Sequence, residues 1–504
     1  MSETGGTEKT GMAENERSLA ELFPAGLRGK RIHAVGAGGS GISAALWLAR
    51  ERGALVSGCD VAETSMSRLL NSKGVAVSLG HDAAHVAEAD LVVVSPAVFY
   101  RRPDLPELTL PRERGIPVVK WQALLGYLMQ GSIGVSVAGV HGKGSTTALL
   151  GSLAIAGGLD PTVEVGANVI EWGSNIRLGH GPYFINEADE FDFNFLFYHP
   201  RVAVLTAVEY DHPEFFSSYE AIRDAFVTFL RGMDLRDQGE LGDIASTAPA
   251  PTLILNADSP GCLDVRAQLG AAWPGRVRTF GIESAAADVR AEKHDTGSNS
   301  FTLVIDGEPI GRLKLATPGI HYVYNALAAA AAADVLGVAR EALVPALTAF
   351  RGLRRRFEII EDGNVTFVDD YAHHPHAVAL TIETARQRFP GRRIVAVFQV
   401  TLYTRLHRFL KQFSEAFDLA DEVAIVEIQP SREVDTGLVH GSDLVRLIAA
   451  RPAFAGRAGA VYYSGTYEET AAMLRDRRRD GDVVVVMGSG PVNQAIAGAR
   501  SSRQ

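Results

Sequence analysis

Gly139-Val140-His141-Gly142-Lys143-Gly144-Ser145-Thr146-Thr147 is the stretch on which the reading of this chain turns. The apolar run before it, 133–137, spells a short strand, and 145–156 has helical spacing. A glycine-rich turn between strand and helix aims backbone N–H groups at an anion, and the helix N-terminus adds a favourable dipole. Lys143 then sets a point charge on the outer phosphates, and a Ser or Thr hydroxyl ligates Mg²⁺. The strict phosphate loop wants Gly at 137 and a hydroxyl at 144; Val137 and Gly144 stand there instead. The turn is a variant phosphate loop, with Gly139, His141, Gly142, Lys143, Gly144, Ser145 and Thr146 as candidate ATP contacts.

On both sides of this loop, short β-branched runs alternate with helical stretches. Strands are predicted at 31–35, 54–57 and 91–95, at 183–186, 202–206 and 252–255, and at 365–368, 394–398, 422–426 and 482–487. Paired runs at 301–305 and 311–315 read as antiparallel strands at a sheet edge. Residues 325–335 read as a close-packed Ala-rich helix, and 235–251 as a polar loop. The predicted fold class is α/β in three domains, as befits 504 residues. A Rossmann-like domain spans 28–130, a central P-loop-type ATPase with a mostly parallel sheet 131–353, and a C-terminal Rossmann-like domain 354–504. Residues 1–27, polar and without an apolar h-region, read as a mobile tail and not as a signal peptide.

Composition narrows the function. The net charge of −10 argues against a nucleic-acid surface over the whole chain. No run of 18 apolar residues predicts a membrane span. Cys59 and Cys262, far apart and alone, argue against a disulfide framework or a zinc site built of cysteines. A reducing, cytoplasmic setting fits.

Gly36-Ala37-Gly38-Gly39-Ser40-Gly41 fits G-x-G-x-x-G between a strand and a helix, and Asp60 follows at the end of the next strand. Alone this says dinucleotide, and an NAD(P)-binding oxidoreductase is one alternative. The device holds a pyrophosphate on a helix N-terminus, and UDP carries one too. A protein that only senses UDP-sugars is another alternative, though it needs no phosphate loop. Two clusters, Glu187-Ala-Asp-Glu190 and Glu209-Tyr-Asp-His212, follow strands of the central unit, where carboxylates and imidazole can converge above a phosphate loop.

With these motifs the chain resembles the Mur ligase family of ATP-dependent amide-forming ligases, from about Arg31 to Gly490. Within it the branch that joins L-alanine to UDP-N-acetylmuramate is most similar. The branch that recycles the tripeptide L-Ala-γ-D-Glu-meso-diaminopimelate is the nearest competitor. The resemblance rests on the phosphate loop and on Asp369-Asp370-Tyr371-Ala372-His373-His374-Pro375, His321-Tyr-Val-Tyr-Asn325, Arg354-Arg355-Arg356 and Gln399-Val400-Thr401-Leu402-Tyr403-Thr404-Arg405. It implies a reaction of peptidoglycan precursor synthesis. ATP phosphorylates the sugar's carboxylate, and an amine attacks the acyl phosphate to give an amide, ADP and phosphate. By the same resemblance Glu187 and His212 are metal ligands, with Ser145 supplying the Mg²⁺ hydroxyl in place of residue 144. Asn325 meets adenine, with Tyr322 able to stack on the base. Arg355 or Arg356 reaches the γ-phosphate, Asp370 the ribose, and His373 the acyl phosphate or amine. Gly36, Gly38, Gly39, Ser40, Gly41, Asp60 and Ser95 line the UDP-sugar site, and Tyr371 and Arg405 bind the amino acid. Val140, Gly144, Ala207, Tyr322, Thr401 and Leu402 depart from the family pattern. Loss of an Arg at 402 predicts a weak apparent affinity for L-alanine unless His376 or Arg432 compensates. ATP and Mg²⁺ are the expected cofactors. Partners are small substrates, with no nucleic acid or membrane, in a monomer or weak dimer.

Overall fold

The structure is a computed structural model and describes residues 18–213, 215–295, 298–431 and 433–500. One compact unit ends at Gln130 and a second runs from Gly131. Residues 1–17 and Arg432 lie outside the described residues.

The first unit is a five-stranded parallel sheet in the order Ala76–Leu79, Leu55–Asp60, Arg31–Val35, Leu91–Val94, Val118–Lys120. Every residue of Leu91–Val94 is buried, as expected of a parallel strand covered on both faces. The predicted tail needs correction at its end. Ser18 and Glu21 form a reciprocal capping box on a helix at Leu19–Leu22, and Leu19, Phe23 and Leu27 are buried. Residues 18–27 therefore belong to the folded unit.

The second unit carries two sheets. The first has ten strands: Glu308–Lys314, Ser300–Ile305, Val289–Asp295, Arg276–Gly281, Thr252–Asn256, Val202–Leu205, Ile133–Ala138, Tyr183–Ala188, Thr162–Val169, Ser174–Arg177. Its middle is parallel and both ends turn antiparallel. The second sheet runs Glu358–Asp362, Val365–Asp370, Val483–Met487, Ile394–Phe398, Glu422–Val426, Val461–Gly465, with only the first strand antiparallel. The helix Ile320–Val335 packs on the helix Lys143–Ala156 through a run of buried alanines from Ala328 to Ala333. One apolar cluster continues from the ten-stranded sheet into the six-stranded one, through Leu353, Phe357 and Val368. Among the described residues no helix is long and apolar enough to cross a membrane.

Candidate active site

The C-terminal ends of Ile133–Ala138, Tyr183–Ala188 and Val202–Leu205 meet at the glycine-rich loop, the usual ligand edge of a parallel sheet. Gly139 has φ +130° and Gly142 +79°, values that favour glycine. A Cβ at 139 would strike Thr206 Oγ1, and one at 142 would strike Asn325 Oδ1. The loop is pinned from below. The Thr206 hydroxyl lies within hydrogen-bond reach of His141 O (2.5 Å) and Ala138 O (3.2 Å), and Val140 N donates to Ala207 O (2.9 Å). Ala207 thus holds the loop through its backbone. Of the three hydroxyls that follow, Thr146 donates to Asn325 Oδ1 (3.3 Å) and Thr147 to Lys143 O (2.8 Å). Ser145 is bonded to none of the described residues, which leaves its oxygen for a ligand. Asn325 therefore braces the loop, and Tyr322 is buried with its ring 4.4 Å from that of His321.

Glu187 and Glu190 divide the work of the first acidic cluster. Glu187 Oε2 accepts from Gly166 N (2.8 Å), and a Cβ on residue 144 would come within 3.0 Å of it. Gly144 gives that carboxylate room. Lys143 Nζ donates to Glu190 Oε2 (2.7 Å) and lies 3.6 Å from Asp189 Oδ1. Burial alone would lower the ammonium's pKa, but Glu190, Asp189 and Glu187 hold it above the ordinary lysine value. Burial likewise opposes the charge on Glu190, yet Lys143 and His212 keep that carboxyl below its usual range. Glu190 Oε1 is buried without a hydrogen-bond partner among the described residues, and His212 Nε2 stands 3.6 Å away. Asp189, Glu190 and His212 bring their donor atoms within 4.8 Å of one another. The sequence reading put Ser145, Glu187 and His212 together; among the described residues, the group here whose donor atoms converge closely enough for a cation is Asp189, Glu190 and His212. Oxygen donors with one orphaned buried carboxylate oxygen fit Mg²⁺.

A second group spans the two sheets. Glu209 Oε2 lies 3.7 Å from His141 Nε2 and 3.8 Å from His376 Nδ1, and the carboxylate raises the pKa of His376. Burial pushes His374 and His321 down to about 4, so both are neutral at pH 7. His373 Nδ1 is 3.0 Å from Tyr371 O, and burial takes this ring well below the ordinary histidine value. Asp211 Oδ1 pairs with Arg405 Nη2 at 3.3 Å, both side chains buried. Arg405 is therefore already paired, although its buried Nε has no partner among the described residues.

Three residues expected to meet ligands also make contacts within the chain. Asp370 accepts from Phe357 N and from Ala372 N, both at 2.7 Å, so its carboxylate clamps the backbone where the ribose was expected. Tyr371 lies under two guanidinium groups, Arg355 at 5.5 Å and Arg356 at 4.9 Å. Arg355 donates to Gly488 O (2.7 Å) and Gly490 O (2.8 Å) and reaches Asp369 Oδ1 at 3.4 Å. Arg356 makes no hydrogen bond or ion pair among the described residues. Thr401 is bonded to Ser489 through their hydroxyls at 2.6 Å.

In the first unit Gly36 has φ +82°, and a Cβ there would crowd Ser95 Oγ. Gly39 starts the helix Ser40–Glu51, and a Cβ on Gly41 would strike Trp121, so the last glycine serves close packing. Asp60 accepts from Gly38 N (2.8 Å) and Ser95 caps the helix Pro96–Arg101; both shape the loop.

Family models described as "Mur ligase family, catalytic domain", "Mur ligase middle domain" and "Mur ligase, glutamate ligase domain" match residues 31–132, 137–333 and 355–490. A UDP-N-acetylmuramate–L-alanine ligase of Methylococcus capsulatus is 36% identical over 471 residues, 92% of this chain and 94% of that one. The solved UDP-N-acetylmuramate-alanine ligase of Thermotoga maritima superposes with TM-score 0.73 at 26% identity, covering 93% and 97% of the two chains. A murein peptide ligase of Psychrobacter arcticus shares the fold, with TM-score 0.69 at 24% identity over 94% of this chain and 100% of that one.

Proposed function

Because the chain belongs to the Mur ligase family, we propose that it joins L-alanine to the carboxylate of UDP-N-acetylmuramate at the expense of ATP. The observation that carries this is likeness to alanine-adding ligases along more than nine-tenths of the chain, with Lys143 of the phosphate loop bonded into the acid–imidazole cluster. A nicotinamide oxidoreductase or a UDP-sugar sensor accounts for neither the second nor the third Mur ligase segment, and the recycling activity is not favoured.

In this reading 28–130 hold the UDP-sugar, 131–353 the ATP and 354–504 the amino acid. Lys143 binds the β- and γ-phosphates and Ser145 lies at the helix N-terminus beside them. Ser145, His212, Asp189 and Glu190, with Glu187 behind Gly144, would hold Mg²⁺, whose chemistry is to neutralise phosphate charge. ATP passes its γ-phosphoryl to the sugar's carboxylate, giving ADP and an acyl phosphate, and the amino group of L-alanine attacks its carbonyl carbon, forming the amide and releasing phosphate. Arg356, stacked on Tyr371 and otherwise unbonded, is the group able to move to the transferring phosphoryl. Arg405 offers its unpartnered Nε to the alanine carboxylate while Asp211 fixes the rest of the guanidinium. His373, kept neutral by burial, serves as a hydrogen-bonding group. The enzyme works in the cytoplasm as a monomer or weak dimer.

The test is ADP release with UDP-N-acetylmuramate and each of L-alanine, glycine, L-serine and L-Ala-γ-D-Glu-meso-diaminopimelate. L-alanine is expected to give the highest kcat/KM, with a high KM. A tenfold or greater preference for the tripeptide assigns the chain to recycling instead.

A further inference from the structure

Away from the glycine loop's ligand face, the first unit buries a second constellation of metal-binding side chains. Cys59 is next to last in the strand Leu55–Asp60, His81 follows Ala76–Leu79, and Glu107 lies in the helix Pro106–Glu113. Cys59 Sγ is 3.6 Å from His81 Nδ1 and 3.6 Å from Glu107 Oε1, and those two are 3.3 Å apart. For Zn²⁺ with bonds of about 2.3 Å to sulfur and about 2.0–2.1 Å to nitrogen or oxygen, tetrahedral edges come to about 3.6 Å for S–N or S–O and about 3.3–3.4 Å for N–O. The three atoms therefore already form one face of a zinc tetrahedron.

We propose that Cys59, His81 and Glu107 form a zinc site in the N-terminal unit, with water in the fourth position and His85 beside it. His85 Nδ1 is 3.2 Å from the same Glu107 oxygen, and His33 Nε2 is 3.4 Å from Cys59 Sγ. Glu107 is 0% exposed, yet its Oε2 has no hydrogen-bond partner among the described residues. Its Oε1 also accepts from Asp82 N (2.7 Å), which fixes the carboxylate beside Cys59 and His81. Thiolate with imidazole selects Zn²⁺ over the Mg²⁺ that serves phosphate chemistry. On binding, the Cys59 S–H proton leaves to solvent and a sulfur–zinc bond takes its place. Ligation would cross-link two strand ends and a helix directly behind the glycine loop, since Cys59 O accepts from Gly36 N (2.9 Å) and Ala37 N (3.0 Å).

The full-length protein, stripped with chelator and dialysed against Zn²⁺ in excess Mg²⁺, is expected to retain one zinc per chain by mass spectrometry. Loaded with Co²⁺, it should show a thiolate-to-cobalt charge-transfer band. Cys59→Ser should abolish the band and Glu107→Gln should weaken zinc binding tenfold or more, while Cys262→Ser leaves both unchanged. Circular dichroism of the variants separates metal loss from misfolding, and if Cys59→Ser does not fold, Glu107→Gln decides. Absence of stoichiometric zinc in the wild type, a band that survives Cys59→Ser, or a folded Glu107→Gln with wild-type affinity would overturn the site.

Discussion

Arg355 and Arg356 are neighbours in sequence and opposites in bonding. The first spends its guanidinium on Gly488 O, Gly490 O and Asp369, and the second lies on the Tyr371 ring within electrostatic reach of buried Asp370. Arg356→Ala should therefore lower kcat by on the order of 10²–10³, the usual cost of a lost transition-state donor, with the melting temperature kept. Arg355→Ala should cost stability, about 1.5–3 kcal/mol as charge-assisted hydrogen bonds go. Parallel kinetics and urea unfolding check the pair; a stable, inactive Arg355→Ala would reverse the roles. Asp369 adds a pH test. Burial, only partly offset by Arg355, pushes its carboxyl up to about 6. The folded chain then holds this proton over a window in which the unfolded chain has lost it. Stability from this group is present below pH 4 and falls as pH rises to 6, by about 1.4 kcal/mol per unit. Asp369→Asn does not titrate, so it should gain about 2 kcal/mol relative to wild type between pH 4 and pH 7. Denaturant unfolding at the two pH values measures the difference.

At the scale of elements, the helix Lys143–Ala156 presents three hydroxyls in its first turns and commits two of them internally. Ser145→Ala should raise the Mg²⁺ concentration for half-maximal ADP release several-fold, and Thr147→Ala should leave it nearly unchanged. Equal shifts would place the metal elsewhere. That helix and its strand were legible because Ile133, Val135 and Val137 are β-branched and alternate with small, uncharged residues, which a strand buried on both faces accepts. The hairpin Thr162–Val169 with Ser174–Arg177 was not. It buries Glu164 and Asn175, and its register slips between Glu164 and Val169, so no period of two survives. The acids at 187–190 were visible as a cluster. Which of them faces Lys143 depends on a turn in which Asp192 and Phe193 take φ of +56° and +55°, and residue type does not announce that conformation. The Ser18–Glu21 capping box was written in the sequence, within a stretch whose polarity spoke for a tail.

At the scale of the molecule, residues 131–504 carry two sheets over one continuous apolar cluster, and the Asp211–Arg405 and Glu209–His376 pairs add polar ties between them. Removing one member of a buried pair leaves its partner charged and alone, which costs about 3–5 kcal/mol. Asp211→Asn and Arg405→Gln should each destabilise the chain. The double variant should cost less than their sum, by about 1–3 kcal/mol of coupling. Strict additivity in thermal unfolding would mean that the pair carries no energy. The chain makes both ties with its own side chains. Such a latch turns the enzyme into a gatekeeper of its own traffic. If nucleotide passes only through an unlatched form, a bias of about 2.7 kcal/mol toward the latched one thins the receptive population about 100-fold and weakens apparent affinity equally. Loosening the latch would then quicken nucleotide entry and tighten apparent affinity by the same factor.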